Sequence, residues 1–391
     1  MNPFLIFLAL LFAVWLFFWL HHSGKVKVIG RGRKSLKFLK GKEDSLYYFA
    51  HVYYGLNSIY NTISGFKYGK TKSYRPRREI LIGADGGEFA IDWFEDDRIT
   101  IPDDAPIIVS QHALSGGSSE AYLQQFGLRV LREKKWRFVC VIFRGCCGTR
   151  LTTPRMYNGG MTDDLHISLR TINQRFPKSR VGILGYSVGG NVITKYLGEQ
   201  NSINEPVVKY KQVIEHDPVP DCVVAAAAVC CPFSLTIIED NMTEKELILM
   251  AQPMIKYMDK HKAILKQLKH FEMLSSTPDN LSIPLINEYA TADIFGYTGN
   301  TQYKFDASSS RYLDGVRKPL LFISTLNDNI SLYKAFPKQE IEKVDGNEYI
   351  SALLLRGGAH LGMFSAFSTK TRFDEQIIIK YFSYYFNDHQ E

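Results

Sequence analysis

A chain of 391 residues with 45% hydrophobic and 22% charged side chains can bury a sizeable core, which excludes wholesale disorder, and no repeat or low-complexity tract interrupts it. The formal charge of +7 is uneven: His21 to Ile80 carries 14 Lys and Arg against 3 Asp and Glu, a balance of +11 that leaves about −4 for the rest. A basic belt confined to one stretch does not make a nucleic-acid surface, so no nucleic-acid partner is expected. The six cysteines include two adjacent pairs, Cys146-Cys147 and Cys230-Cys231, in neither a secreted disulfide framework nor a zinc spacing.

The first element is "FLIFLALLFAVWLFFWL", Phe4 to Leu20, which carries no charge. As a helix it is roughly 25 Å long, within the range that crosses a bilayer. It reads as a membrane anchor, residues 1–24 with its flank. The alternative, a cleavable signal peptide, calls for a basic start and small residues at a cleavage site, whereas this run ends in Phe, Trp and Leu. The excess of Lys and Arg after it (Lys25, Lys27, Arg31, Arg33, Lys34) then belongs on the cytosolic side. Residues 25–78 read as a basic membrane-proximal segment drawn to anionic lipid, with a solvated basic face as the alternative. The expectation is a single-pass protein of the endoplasmic reticulum or another endomembrane with a cytosolic domain. Three sequons (Asn241, Asn280, Asn329) matter only if the domain faces a lumen.

"SLYYFAHVYYGLNSIYNTI", Ser45 to Ile63, is a helix near the membrane or one packed on the main domain; packing is expected. From Glu79 the texture changes. "EILIGADGGEFAIDWF" reads as a hairpin around Asp-Gly-Gly. "APIIVSQHAL" follows as a buried strand, "EAYLQQFGLRVLREKK" as a helix and "RFVCVIFR" as a strand. "TDDLHISLRTINQRFP" reads as a helix capped by Thr162, with Asp163 and Asp164 as first-turn charges. Next come the strand "RVGILGYS", the helix "GGNVITKYLGEQ" and the strand "DCVVAAAAVCC".

Strands that are continuous apolar runs, alternating with helices, predict an α/β fold with a mostly parallel central sheet covered on both faces. The rhythm breaks at about 232–317. "EKELILMAQPMIKYMDKHKAILKQLKHF" is helical and Met-rich, and "NEYATADIFGYTGNTQYKFDASSSRYL" is aromatic and irregular. This insertion is a cap candidate within a domain spanning 79–391. The strands "KPLLFISTLND" and "EYISALLLRGGAH" then resume the sheet, and the helix "DEQIIIKYFSYYFN" closes it.

"LGYSVGGN", Leu184 to Asn191, sets Ser187 between a predicted strand and a predicted helix. A nucleophile elbow has this arrangement, with glycines at 185 and 189 where a strained turn packs against its neighbours. A serine needs a base and an orienting acid. Asp328 ends one later strand and His360 follows another, in the order this kind of site uses. An oxyanion needs N–H donors. Val188 follows the nucleophile, and Leu114 lies in the loop "SQHALSGGSSE", with Ala113 as fallback. His112 is read as shaping that loop and His166 as packed or solvated. Cys146 and Cys147 are read as inert packing at a pocket edge. No Cys/His metal cluster or phosphate-cradling loop is apparent, so neither metal nor cofactor is expected.

"HALSGGSSEAYL", "FRGCCGTRLTTPRMYNGGMTDDL", "ILGYSVGGNVITKYLGE", "YKFDASSSRYL", "KPLLFISTLND" and "GGAHLGMF" resemble blocks of the AB hydrolase 4 family. That family includes membrane-anchored α/β-hydrolase-domain lipases and fungal medium-chain fatty-acid ethyl ester synthase/esterases. The resemblance runs from about Ile80 to the C-terminus and implies an α/β-hydrolase fold with Ser187, Asp328 and His360 as triad. It implies hydrolysis of lipid carboxylic esters (acylglycerols, phospholipids or shorter esters), or acyl transfer to an alcohol as in the fungal branch. An inactive hydrolase fold that binds lipid or acts as a scaffold is the reading from another class. Two features depart from the family. Ala113 stands where glycine is usual, and Cys146-Cys147 is less usual. Oligomeric state is not legible.

Overall fold

The computed structural model describes residues 2–31, 33–53, 57–67, 74–207, 218–276, 280–343 and 346–387. Part of the aromatic stretch (54–56), of the basic segment (32, 68–73) and of the cap (277–279) lies outside the described residues.

Nine strands form the central sheet: β1 (Lys27–Ile29), β2 (Arg77–Ile82), β3 (Glu88–Phe94), β4 (Ile107–Gln111), β5 (Arg137–Ile142), β6 (Val181–Tyr186), β7 (Val223–Val229), β8 (Leu320–Thr325) and β9 (Ile350–Leu355). Their order across the sheet is β1-β9-β8-β7-β6-β4-β5-β3-β2. The six from β5 to β9 run parallel. β2, β3 and β1 pair antiparallel at the two edges. All six parallel strands are buried at every position or at every position but one, as apolar runs covered on both faces must be. The chain moves outward from β4 to β5, then returns to place β6 on the other side of β4. That reversal opens a crevice at the carboxyl ends of the central strands.

The helices are α1 (Pro3–His22), α2 (Ser58–Lys67), α3 (Ala121–Arg129), α4 (Asp163–Arg175), α5 (Val188–Gly198), α6 (Leu235–Asp240), α7 (Glu244–Lys260), α8 (Asn300–Ala307) and α9 (Phe373–Phe386). α1 is long and apolar enough to cross a membrane. One of its faces docks: the indole N–H groups of Trp15 and Trp19 donate to the carbonyls of Val52 and Ala50 at 3.1 and 2.8 Å.

Between β7 and β8 the chain is helical. α7 opens with a capping box in which Thr243 and Glu246 each satisfy the other's backbone N–H. The stretch expected to be irregular is instead a run of short helices, among them Ile283–Ile286, Ala292–Phe295 and α8. Its periodicity is broken because Gly296, at φ 73, ends one helix, and the next begins at Asn300.

Other expectations need correction. The Thr162 hydroxyl does not cap α4; it donates to Glu199 at 2.6 Å. Asp163 and Asp164 do stand in the first turn of α4 as expected, and they are buried there and paired with Arg155 and Arg144. Residues 27–29 are a strand of the main sheet, so part of the segment 25–78 is built into the domain. Much of its charge is also engaged in ion pairs and hydrogen bonds, most of them exposed. Lys25 and Arg31 pair with Asp44, Lys34 with Glu348, and Arg33 donates to the carbonyls of Ile350 and Lys343.

The Arg144 guanidinium, fully buried, divides its donors between Asp85 and Asp164 at 2.7–2.8 Å. Removing Asp164 leaves this buried guanidinium with Asp85 as its remaining carboxylate partner, a loss of up to about 3–5 kcal/mol. Asp164→Ala is expected to lower the thermal midpoint of the detergent-solubilised protein by up to about 4–6 °C. An unchanged midpoint would count against the pair's structural role.

Candidate active site

Ser187 ends β6 at φ 54, ψ −122, a conformation that side chains rarely adopt. Its N–H donates to the carbonyl of Val229 at 2.8 Å, and α5 begins at the next residue. The flanking glycines are required sterically. A Cβ at Gly185 would press on the backbone of Gly189, and one at Gly189 would overlap the carbonyl oxygens of Gln111 and His112. The first turn of a helix directs free N–H groups toward the serine.

Asp328 lies just after β8 and His360 just after β9, both buried. Nδ1 of His360 lies 3.0 and 2.9 Å from the two oxygens of Asp328. A carboxylate can only accept, so Nδ1 carries the proton and Nε2 is left as the basic nitrogen. The N–H groups of Ile330 and Ser331 donate to Asp328 Oδ1, both at 2.8 Å, and fix the carboxylate. Among the described residues no hydrogen bond joins the Ser187 hydroxyl to His360. Such bonds are often loose before substrate binds. The three side chains share the carboxyl edge of the sheet, on β6, β8 and β9.

The His360 loop is held from several sides. Its flanking residues Gly358, Ala359 and Leu361 all take positive φ. The Asn327 amide oxygen accepts from the Ala359 N–H, and the Thr325 hydroxyl donates to the Ala359 carbonyl, both at 2.9 Å. Thr62 of α2 accepts from the His360 N–H at 3.2 Å and donates to Asn329 at 2.7 Å. No local pattern could have pointed to Thr62, which lies 298 residues from His360 in sequence. The Asn329 sequon is thus engaged beside the site.

The loop after β4 is equally fixed. The Ala113 N–H donates to the Tyr122 hydroxyl and the Ser115 N–H to the Tyr157 hydroxyl, both at 2.9 Å. Ala113 is thereby engaged, whereas the N–H groups of Leu114 and Val188 meet no acceptor among the described residues. The alanine is compatible with the loop because the positive φ values fall on Ser115 and Gly117. Tyr157 also donates to the Met254 sulfur at 2.9 Å, tying α7 of the cap to this loop. α7 and the residue after it also reach the loop after β5, through Tyr257 to the Arg144 carbonyl and His261 to the Gly145 carbonyl.

Cys230, Asp328 and His360 each offer one atom within 4.8 Å of the others, a juxtaposition the sequence did not reveal. The donor set does not fit a metal. Nδ1 is committed to Asp328, and burial, reinforced by the Asp328 charge, holds the Cys230 thiol well above its ordinary range. Burial likewise pushes Cys146 up, and it packs as expected. His166 is buried against Tyr196.

The fold is that of an α/β-hydrolase. No family model matches the chain. It is 26% identical to an abhydrolase domain-containing protein of Dictyostelium discoideum, over 86% of this chain and 81% of that one. It is 25% identical to a monoacylglycerol lipase of Saccharomyces cerevisiae, over 69% of this chain and 57% of the lipase. With the human phospholipase ABHD3 it shares 28% identity, over 73% of this chain and 66% of the phospholipase. The chain thus spans less than two thirds of these last two relatives. A solved acylaminoacyl peptidase in complex with Z-Gly-Gly-Phe-chloromethyl ketone superposes with TM-score 0.50 at 16% identity, over 84% of this chain and 44% of the peptidase, a likeness of fold alone. These relatives agree with the resemblance read from the sequence blocks.

Burial lowers the His112 pKa from 6.5 to about 4. The neutral ring suits its contacts, with Nε2 accepting from the Phe143 N–H and Nδ1 donating to the Ala113 carbonyl. Between those two values the unfolded chain binds the extra proton, so stability rises with pH across the window and is lost as pH falls through it. The effect reaches at most about 3 kcal/mol. His112→Asn is expected to flatten the dependence of the thermal midpoint on pH between about 6.5 and 4. An unaltered slope would show that His112 is not the group responsible.

Proposed function

We propose that the protein is a membrane-anchored serine hydrolase that cleaves carboxylic esters of lipids through an acyl-enzyme. The observation that carries this reading is the His360–Asp328 pair at the same sheet edge as a serine on a strained strand-to-helix turn. Ser187 attacks the ester carbonyl, His360 Nε2 takes the proton and returns it to the leaving alcohol, and Asp328 holds the imidazole and stabilises its charged form. The N–H groups of Leu114 and Val188 stabilise the oxyanion. Water then releases the acyl group. The lipase and phospholipase names of the relatives support a lipid ester as substrate.

A second reading has a specific support. A medium-chain fatty acid ethyl ester synthase/esterase of Saccharomyces cerevisiae is 24% identical over 70% of this chain, and an alcohol intercepting the same acyl-enzyme gives ester synthesis.

The domain division at 24, 78 and 232–317 is retained as a functional one: anchor, connecting segment, hydrolase and cap. Membrane attachment through α1 is supported by its docked tryptophans, which make it part of the folded unit. The ion pairs of the following segment leave it a lesser role in attracting anionic lipid. The same charge bias supports a cytosolic domain, and the proposal places the anchor in an endomembrane.

The test is hydrolysis of a chain-length series of esters by the detergent-solubilised protein, beside labelling with a fluorophosphonate. Ser187→Ala is expected to lose labelling and at least about 10⁴-fold in kcat, and Asp328→Asn a comparable factor through the wrong imidazole tautomer. Undiminished turnover in Ser187→Ala would end the proposal. Added ethanol diverting acyl groups to ethyl ester would favour the second reading.

A further inference from the structure

α2 is amphipathic the wrong way round for a helix on a soluble domain. Apart from Phe66, which packs on Tyr122 and His360, its inner face is polar or small: Asn61, Thr62, Ser64 and Gly65 are buried, with Thr62 on the His360 loop and Gly65 so close to Leu361 that a Cβ would overlap its carbonyl. Its outer face carries Ile59, Tyr60 and Ile63, which are 59%, 65% and 42% exposed. Aromatic exposure continues nearby. Tyr53 is 80% exposed and Phe367, on the hairpin between Phe364 and Arg372, 85%. The Val52 N–H donates to the Ala366 carbonyl at 2.9 Å, joining that hairpin to the chain leading into α2. So much exposed apolar surface in one region marks a contact site.

The occupant follows from the depth at which this surface sits. α1 touches the domain at Trp15 as well as at its end, and Trp15, His51, Val52, Tyr53 and Phe367 line one cleft. Trp15 lies seven residues before the end of α1, about 10 Å along a helix. If α1 crosses the bilayer, Tyr53 and Phe367 cannot stand clear of it.

Resting on the reading of α1 as a membrane span, we propose that the outer face of α2, with Tyr53 and Phe367, is a second membrane-contact surface that sinks into the leaflet and sets the His360 side of the active site against lipid. Aromatic and aliphatic side chains at such a depth match the membrane interface. An ester substrate then passes from the leaflet to the site without crossing water.

The experiment uses the full chain in phosphatidylcholine vesicles, with Cys147→Ser and Cys222→Ser to confine labelling. An environment-sensitive NBD dye is placed on Ile63→Cys, Phe367→Cys, Val14→Cys or Asp103→Cys, and quenching by phosphatidylcholine bearing a nitroxide on its acyl chain is read. Variants are compared only where circular dichroism matches the parent. Dyes at 63 and 367 are expected to lose most of their emission, as at 14, while the dye at 103, before β4, keeps its own. If 14 is quenched but 63 and 367 behave like 103, this inference falls and the anchor stands. If 14 is not quenched, the membrane reading of α1 fails with it. Shielding of 63 and 367 from both nitroxide lipid and aqueous iodide, rising with protein-to-lipid ratio, would mean that a second copy covers the face and would overturn the proposal. None of these readouts depends on turnover, so a failure of the ester-hydrolase reading is seen separately in the wild-type assay.

Discussion

The backbone of Ser187 is the constraint from which the rest of the site takes its place. A non-glycine residue at φ 54, ψ −122 carries strain on the order of 1–3 kcal/mol and persists only where its surroundings allow nothing else. Here they are β6 on one side and α5 on the other. α5 is buried from Gly189 to Gly198, and the approach of its first turn to β4 and β6 is possible only because Gly185 and Gly189 lack side chains. The sheet reversal beside β6 then leaves the serine facing the crevice rather than a neighbouring crossover.

A second strained segment answers the first. Positive φ at Gly358, Ala359 and Leu361 brackets His360, so this loop too is held by contacts rather than by its own preference. Those contacts come from far apart in the chain: Thr325 and Asn327 at the end of β8, and Thr62 from a helix that precedes the sheet. The loop that carries Leu114 is set the same way, by hydroxyls of Tyr122 and Tyr157. The loops of the proposed base and oxyanion donor are therefore each fixed by residues outside their own motif, an arrangement that would preorganise polar groups before substrate arrives.

What was legible in the sequence follows this division. Apolar strand runs, the glycines around Ser187, and the order of Asp328 and His360 are local signals, and they gave the sheet, the elbow and the pairing of acid and imidazole. Asp163 and Asp164 were legible as first-turn acids, but a carboxylate there looks alike whether it meets water or a buried arginine. Arg144 and Arg155 come to them only through the fold. Thr162 has the right side chain for a cap, but Glu199 competes for its hydroxyl. β1 went unread because three residues within a basic stretch carry no strand pattern, and the free edge of β9 selects them. Thr62 had no local signal at all.

The same folding changes how the basic belt is understood. Read as a line of text, it is a surplus of positive charge beside an apolar helix, and electrostatic attraction to lipid is the natural inference. In the structure Lys25, Arg31 and Lys34 meet acids, Arg33 meets carbonyls, and Arg78 forms paired hydrogen bonds with the buried Asp92. Exposed pairs of this kind add little stability, yet they offset part of the charge that would face the bilayer. Apolar area must then carry more of the association with lipid, and burial of apolar surface, unlike attraction between exposed charges, is not screened by salt. Apolar area is what α1 and the outward side chains of α2 provide. Because the inward side of α2 holds the His360 loop through Thr62, a single short helix meets both the surface where substrate would reside and the base that would act on it.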